Sequence, residues 1–236
     1  MNIVVFVICA CVGSFINVVF YSLPKKIDFI KRRSYCDYCF HTLSYIDMIP
    51  IINYLFLKGE CRYCHHKLNI RYCVVELVSG WIGVIFYNVY NFYSFIFIYL
   101  FLMILVLIAL IDIDSMYVYD ETIVLLFMVG LFVVSIYKLS IMNRLVGMII
   151  LSLPMFIFNF YKEAFGGGDI KLFCVLGFVF GIEGNICIFM YSSLLASLYS
   201  LLNIMKNELK YDSYIPFIPF ITLGVFCFLM YGNIFL

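Results

Sequence analysis

Charged residues are scarce in this chain of 236 residues, since Asp, Glu, Lys and Arg together make up only 12% of it. A soluble domain is about a quarter charged and about half apolar, whereas hydrophobic residues make up 66% of this chain. The composition therefore excludes a soluble globular domain and a disordered chain. The 15 Lys and Arg against 14 Asp and Glu give a net charge of +1, which excludes a basic nucleic-acid-binding protein.

The alternation of apolar and polar residues that marks a transmembrane β-barrel is also missing. Continuous apolar runs instead predict an all-α polytopic membrane protein. A helix needs roughly 17–25 apolar residues to cross the hydrocarbon core, so we expect about eight transmembrane helices. The short run 172–182 is expected to begin inside an aqueous cleft. The uncharged runs are 1–24, 77–111 (two helices), 122–137, 145–161, 172–182, 184–205 and 213–236.

A polar, basic, cysteine-rich segment interrupts the apolar sequence. We expect a first transmembrane helix at 1–23, a small extramembrane domain at 24–73, between helices 1 and 2, and a seven-helix membrane domain at 74–236. Nine of the 15 Lys and Arg lie in the small domain, and the positive-inside rule places it in the cytoplasm. With eight spans, 13 basic residues are cytoplasmic, only Lys138 and Arg144 are outside, and both termini are outside.

The small domain contains two CxxC pairs, Cys36 with Cys39 and Cys61 with Cys64, separated by 21 residues. Four thiolates at this spacing suit tetrahedral Zn²⁺, and a metal can supply the folding free energy that so small a domain lacks. The sequence predicts a structural zinc site, with a redox CxxC as the alternative. The nearby histidines are expected to be solvated or outside the ligand set, and the cysteines in apolar runs to be buried hydrophobic side chains.

Two carboxylates at membrane depth are candidates for catalysis. Asp112 ends the third predicted helix and Asp169 follows the glycines 166–168, both at the cytoplasmic face. Charged groups inside a membrane are costly and usually functional. Two close carboxylates share a proton, and such a pair can activate water and protonate a leaving amine. The glycines would leave the backbone open for an extended substrate. The alternatives are that the two aspartates are ordinary residues of the membrane interface and that the glycines only form a loop.

These segments resemble the type IV prepilin peptidases, membrane aspartic proteases of the GxGD class, over almost the whole chain. The segment Glu-Ala-Phe-Gly-Gly-Gly-Asp-Ile-Lys-Leu at 163–172 is similar to the EAxGxGDxKL segment of this family, which is the most specific match. Departures stand at Ser22, Asp37, Tyr119 and Ile218, none of them a predicted catalytic or zinc position. The other similar segments are 12–24, 33–39, 47–50, 59–64, 71–76, 111–120 and 215–220.

The resemblance implies that Asp112 and Asp169 are the catalytic aspartates of a peptidase in the bacterial inner membrane. It implies cleavage of prepilin or pseudopilin leaders at the cytoplasmic face, followed in many members by N-methylation with S-adenosylmethionine. Gly166, Gly167, Gly168 and Lys171 are then expected to line the substrate. Since no glycine-rich nucleotide loop is visible, we look for the methyl-donor site at Glu76 and the zinc domain.

Two other classes compete with the peptidase. A secondary transporter also combines intramembrane carboxylates with broken helices, but here the acids cluster at one membrane face and no inverted repeat is visible. A membrane scaffold with a zinc-stabilised interaction domain would explain the cysteines. It would not explain the glycine-flanked Asp169, which counts against this hypothesis.

Overall fold

The computed structural model describes residues 1–26, 28, 33–36, 38–44, 46–135, 140–161, 165–206 and 214–231. In these ranges the structure is helical apart from turns and two isolated β-bridges, Tyr35 with Thr42 and Glu60 with Lys67. This confirms the predicted all-α class. Asp37 and Glu163 lie outside the described residues, as do five of the 15 Lys and Arg counted in the sequence, namely Lys31, Arg32, Lys138, Lys162 and Lys210.

The chain forms two compact units, residues 1–99 and 100–236. A 3₁₀ turn at Ile46–Met48 precedes the short helix α2 in the first unit. The helix α4 passes through the boundary of the two units. The helices are α1 (Asn2–Ser22), α2 (Ile52–Phe56), α3 (Arg71–Val89), α4 (Phe92–Ser115), α5 (Asp120–Val134), α6 (Ile141–Tyr161), α7 (Gly167–Met205) and α8 (Ile218–Tyr231).

In the first unit, α1 packs closely on α3. A side-chain carbon at Gly13 would lie only 2.0 Å from Ser79 Oγ, so the two backbones approach too closely for a larger residue. Ser79 Oγ and Tyr99 Oη each donate a hydrogen bond of 3.0 Å to the carbonyl oxygen of Cys9. Small residues and interhelical hydrogen bonds hold membrane helices together, because apolar burial gives little driving force in lipid. The chain between α1 and α3 forms the cysteine-rich segment.

In the second unit, α6 and α7 make the most extensive helix pair. The backbones meet where a side-chain carbon on Gly177 would lie 2.1 Å from the Gly147 carbonyl oxygen. The fully buried Asn185 donates hydrogen bonds to the carbonyl oxygens of Gly147 at 2.9 Å and Phe173 at 3.2 Å. This pair sets the position of α7, which carries Asp169 in its first turn.

The helix α7 is broken at Gly181, whose φ of 74° and ψ of −169° are outside the helical region. Arg144 Nη1 donates to the carbonyl oxygens of Phe178 at 3.2 Å and Val179 at 2.8 Å. On the other side of the break, Ile182 N donates to Asn143 Oδ1 at 2.9 Å. Backbone groups freed at membrane depth must find partners within the protein. The α6 side chains of Asn143 and Arg144 provide these partners. The break at Gly181 divides α7 into two helical segments, 167–180 and 182–205.

Among the described residues, five helices are long and apolar enough to cross a membrane, namely α1, α3, α4, α6 and α7. The chain is therefore a multi-pass membrane protein. The described parts of α5 and α8 have only 15 and 14 residues, and α7 has 39 residues with a break. Residues 182–205 match the predicted run 184–205, and the helix before them, 167–180, begins earlier than the predicted 172–182. The count of eight spans stays a prediction.

Candidate active site and metal centre

Asp112 is buried near the end of α4, with 6% of its surface exposed. Its Oδ2 accepts a hydrogen bond of 3.1 Å from the backbone N–H of Ile218, the first residue of α8. The N-terminus of a helix stabilises negative charge, because its N–H groups are unpaired and the helix dipole is positive there. The start of α8 therefore fixes the orientation of the Asp112 carboxyl group.

Asp169 lies in the first turn of α7, which has Gly166 as its N-terminal cap. Its backbone N–H donates to the Gly166 carbonyl oxygen at 3.1 Å, and its carboxyl group accepts a bond from the Gly166 backbone. The Asp169 and Asp112 carboxyl groups are near enough to interact electrostatically. Each of the two carboxylates is thus held at the positive end of a helix, α7 for Asp169 and α8 for Asp112.

The three glycines before Asp169 have different surroundings. A side-chain carbon on Gly168 would lie 2.4 Å from Val118 Cγ2, so α7 can begin beside Val118 only if this residue is glycine. A carbon on Gly166 would lie 3.2 Å from Asp169 Oδ2, whereas one on Gly167 would meet nothing within 4 Å. Gly168 therefore serves close packing, and open space adjoins Gly167.

The other polar residues near this pair point elsewhere. Asp114 is exposed, as expected for a residue about 200° around the helix from Asp112. Lys171 Nζ forms an ion pair of 2.5 Å with Asp120 Oδ1 at the start of α5, and both side chains are more than half exposed. Exposed ion pairs contribute about 0–1 kcal/mol. Lys171 thus connects the first turns of α7 and α5.

The four predicted zinc ligands come together in the cysteine-rich segment. Each of Cys36, Cys39, Cys61 and Cys64 offers a sulfur atom, and these atoms lie within 4.8 Å of one another. The Cys36 and Cys64 sulfurs are 3.9 Å apart, close to the ~3.8 Å between the corners of a tetrahedron with Zn–S bonds of about 2.3 Å. The arrangement fits a tetrahedral metal ion, and the prediction that these cysteines form one cluster is confirmed.

The two CxxC loops have the same backbone design. Cys36 N donates to the His41 carbonyl oxygen at 3.0 Å, and Cys61 N donates to that of His66 at 2.9 Å. The fourth residue after each first cysteine, Phe40 or His65, has a φ of 56°. The two loops thus share one backbone geometry, that of a knuckle whose two cysteines can hold a metal ion.

Reciprocal aromatic contacts join the two knuckles. The Tyr38 ring stacks on His66 with centroids 3.3 Å apart, and the His41 ring lies 3.7 Å from that of Tyr63. These two histidines therefore pack on tyrosines, outside the sulfur cluster. Burial raises the pKa of the Cys61 thiol, but the backbone N–H groups of Cys64 and Tyr63 and the neighbouring thiols outweigh it and lower this pKa to about 7.

Asp47 fastens the 3₁₀ turn to the second knuckle. Its Oδ2 accepts hydrogen bonds from Ser44 Oγ at 2.7 Å and Tyr63 Oη at 3.1 Å. Its Oδ1 lies 2.8 Å from Arg62 Nε, and only 3% of the Asp47 side chain is exposed. Asp47 begins the segment 47–50 that resembles the prepilin peptidases, but the sequence alone predicts no contact for its side chain.

Glu76 lies in the first two turns of α3, with 8% of its surface exposed. Its Oε2 accepts a hydrogen bond of 2.7 Å from Ile51 N, and the Ser14 hydroxyl also bonds to its carboxyl group. Ile51 has a φ of 62°, unusual for a β-branched residue. Glu76 thus holds this turn and joins the cysteine-rich segment to α1 and α3.

The fold and these sites define a multi-pass membrane protein with a pair of carboxylates and a cluster of four cysteines that could hold a metal ion. The profile of the Bacterial Peptidase A24 N-terminal domain matches residues 7–90, and that of the Type IV leader peptidase family matches 99–201. The chain belongs to the type IV leader peptidase family, which confirms the resemblance found in the sequence. The two matched regions follow the two compact units.

Relatives from distant bacteria match nearly the full chain. A prepilin leader peptidase/N-methyltransferase of Vibrio cholerae is 30% identical over 92% of this chain and 92% of its own length. A protein with the same name from Bacillus subtilis is 28% identical over 98% of this chain and 94% of its own length. No solved structure matches significantly.

Two elements of the carboxylate site were not recognised from the sequence. The backbone N–H of Ile218, which binds Asp112, comes from a segment more than 100 residues away, so local sequence gives no sign of it. The segment 215–220 had been matched to the family without a structural role. The sequence also does not show that Gly167 adjoins open space while Gly168 packs against Val118, because the two residues are identical neighbours.

Proposed function

We propose that this protein is a membrane aspartic endopeptidase that removes the leader peptide of type IV prepilins and pseudopilins, and then methylates the new N-terminus. The observation that supports the peptidase is that the carboxyl groups of Asp112 and Asp169 are near enough to interact electrostatically, Asp112 being bonded to the start of α8 and Asp169 lying in the first turn of α7. Family membership and the names of the relatives support the same activity.

In the proposed reaction, the two carboxylates hold one proton between them, because two adjacent negative charges are costly. The ionised carboxylate takes a proton from a water molecule, which attacks the scissile carbonyl carbon. The protonated carboxyl group donates a hydrogen bond to the carbonyl oxygen, and the leaving amine receives a proton as the C–N bond breaks. Asp112 and Asp169 are the two residues to which we assign these roles.

The start of α7 provides a path for an extended substrate. Open space beside Gly167 allows a peptide backbone to approach, while Gly166 and Gly168 keep the turn compact. Lys171 carries a positive charge near this turn, held by Asp120. We assign Lys171 to the edge of the substrate path, where it helps to hold the α5 and α7 starts together.

The metal centre has a structural role in this proposal. Zn²⁺ held by Cys36, Cys39, Cys61 and Cys64 would replace the apolar core that so small a segment lacks. S-adenosylmethionine supplies the methyl group, and we assign its binding to the first unit, in which Glu76 connects the cysteine-rich segment to α3.

We place the protein in the bacterial inner membrane with eight spans, counting α7 as two segments separated at Gly181. The metal centre, Asp112 and Asp169 then face the cytoplasm. The basic residues support this orientation, since 13 of 15 lie on the cytoplasmic side. Arg144 is an exception that the fold explains, because it is buried and bonded to the carbonyl oxygens at the α7 break.

The intact mass of a prepilin co-expressed with this protein tests the proposal. We expect the mass of the mature pilin plus one methyl group. The leader retained in full would contradict the peptidase, and a cleaved pilin without the methyl group would contradict the methyl transfer alone.

A further inference from the structure

A cavity of about 460 Å³ lies in the first unit. The residues that line it come from three elements: the second half of α1, the cysteine-rich segment and the start of α3. Pockets for small molecules have volumes of about 300–1,000 Å³. All residues that line this cavity belong to the first unit, whereas Asp112 and Asp169 belong to the second.

The buried polar residues that line this cavity are Asn17 and Ser22 of α1 and Glu76 of α3. Glu76 of α3 accepts the Ile51 N–H and so presents a fixed carboxyl group. Asn17 of α1 is 3% exposed, and its Nδ2 donates to the Tyr72 carbonyl oxygen at 3.2 Å. Its Oδ1 has no hydrogen-bond partner among the described residues. A buried acceptor without a donor is costly, and a ligand with N–H groups would provide the donor.

The charge of the lining favours a cationic ligand. Four acids and two arginines line the cavity, and one acid, Asp47, is paired with Arg62 at 2.8 Å. The acids of the lining, Asp28, Asp47, Glu60 and Glu76, thus outnumber its two bases, Arg33 and Arg62. This balance disfavours phosphate-bearing ligands.

The aromatic part of the lining favours the same class of ligand. Five tyrosines and one phenylalanine line the cavity, and aromatic faces attract cations and stack on flat heterocycles. A fitting ligand therefore joins positive charge to a flat ring. The residues are Phe15, Tyr21, Tyr35, Tyr54, Tyr63 and Tyr72.

We infer that this cavity is the binding site for S-adenosylmethionine, with Glu76 and Asn17 as its polar anchors. The inference rests on the methyl transfer proposed above. The sulfonium and ammonium groups of the ligand match the acidic lining, and its adenine matches the tyrosines. Glu76 provides a charge that pairs with a cationic group, and Asn17 Oδ1 accepts an N–H group. The cavity gives a role to Asn17, which lies in the 12–24 segment that resembles the prepilin peptidases.

Calorimetric titration of S-adenosylmethionine into the purified, zinc-loaded, full-length protein tests the role of Glu76. Glu76→Gln keeps an oxygen that can accept the Ile51 N–H and removes the negative charge. We expect this variant to bind S-adenosylmethionine about tenfold or more weakly, because a charge-assisted contact is lost. The matched control is Glu183→Gln, since Glu183 is exposed and lies in the second unit. Equal affinities of the Glu76→Gln variant and the wild type would overturn the inference.

Photochemical cross-linking of S-adenosylmethionine to the wild-type protein gives a second measurement that does not depend on any variant folding. Mass spectrometry should find the label on residues that line the cavity, such as Tyr35 or Tyr72. A label confined to other segments would overturn the inference, as would the absence of binding in a protein that still removes leaders. A protein that binds the ligand but cleaves no leader would contradict the proposed peptidase and leave this site intact.

Discussion

The break in α7 depends on Arg144, so we expect Arg144→Met to destabilise the second unit. The Arg144 side chain donates hydrogen bonds to the carbonyl oxygens of Phe178 at 3.2 Å, Val179 at 2.8 Å and Val134 at 3.0 Å. Bonds from a charged donor contribute about 1.5–3 kcal/mol each in soluble proteins, and side-chain bonds between membrane helices average about 0.6 kcal/mol. Their loss should therefore cost about 2–5 kcal/mol.

Thermal unfolding in detergent micelles measures this effect. The expected loss corresponds to a decrease in Tm of roughly 5–15 °C for a protein of this size. Arg144→Lys should lie between the wild type and the Met variant, because an ammonium keeps the charge without the planar fork of donors. The control is Lys206→Met at the exposed end of α7, with an expected change within about 0.5 kcal/mol. Equal Tm values for Arg144→Met and this control would refute the role of Arg144.

The remaining predictions concern the metal, pH and topology. Elemental analysis should find about one zinc per chain, and a Cys36→Ser/Cys61→Ser double variant that keeps the metal would contradict the assigned ligands. Burial raises the pKa of Asp47, but the bonds from Ser44 and Tyr63 and the Arg62 charge outweigh it and hold that pKa below its usual value. The stabilisation from Asp47 is then complete above the unfolded pKa of about 3.9 and is lost as the pH falls below it. Asp47→Asn should therefore lower thermal stability at pH 7 and make it less dependent on pH below about 4, and an unchanged acid profile would contradict this. A reporter fused after Leu236 should give a signal from outside the cytoplasm, whereas a cytoplasmic signal would contradict eight spans.

The metal centre could be predicted from the sequence because local spacing determines it. Each CxxC loop places two sulfurs on one tight turn, so only the meeting of two turns depends on the fold. The stacking of Tyr38 on His66 and of Tyr63 on His41 was not predictable. These contacts join residues of different turns, and the sequence carries no periodic pattern that pairs them.

The helices were predictable only in part. Uncharged runs correctly marked the apolar segments, and the charge of Glu183 between the runs 172–182 and 184–205 predicted that α7 is divided into two helical segments. The reason for the break could not be predicted from the sequence, because Asn143 and Arg144 lie nearly 40 residues before Gly181 and act through tertiary contacts. Arg144 had been counted only as one of two basic residues outside the cytoplasm.

For the carboxylate pair, the sequence predicted the residues but not their support. Asp112 and Asp169 were selected by their position in apolar sequence and by the resemblance to a family. The α8 N–H group that binds Asp112 and the contact of Gly168 with Val118 follow only from the packing of the second unit. Backbone donors carry no side-chain signature, so a pattern of residue types cannot reveal them.

The central claim is that Asp112 and Asp169 together cleave the prepilin leader, and single Asp→Asn variants test it most directly. Leader removal should be timed with purified protein and a prepilin substrate. Asn keeps the size of each side chain and removes the shared proton, so both variants should lose several orders of magnitude in rate, as residues that act as a unit do. The matched control is Asp114→Asn, whose exposed side chain lies two residues from Asp112, and it should keep most of the activity. An active Asp169→Asn variant, or an inactive Asp114→Asn beside an active Asp112→Asn, would contradict the account.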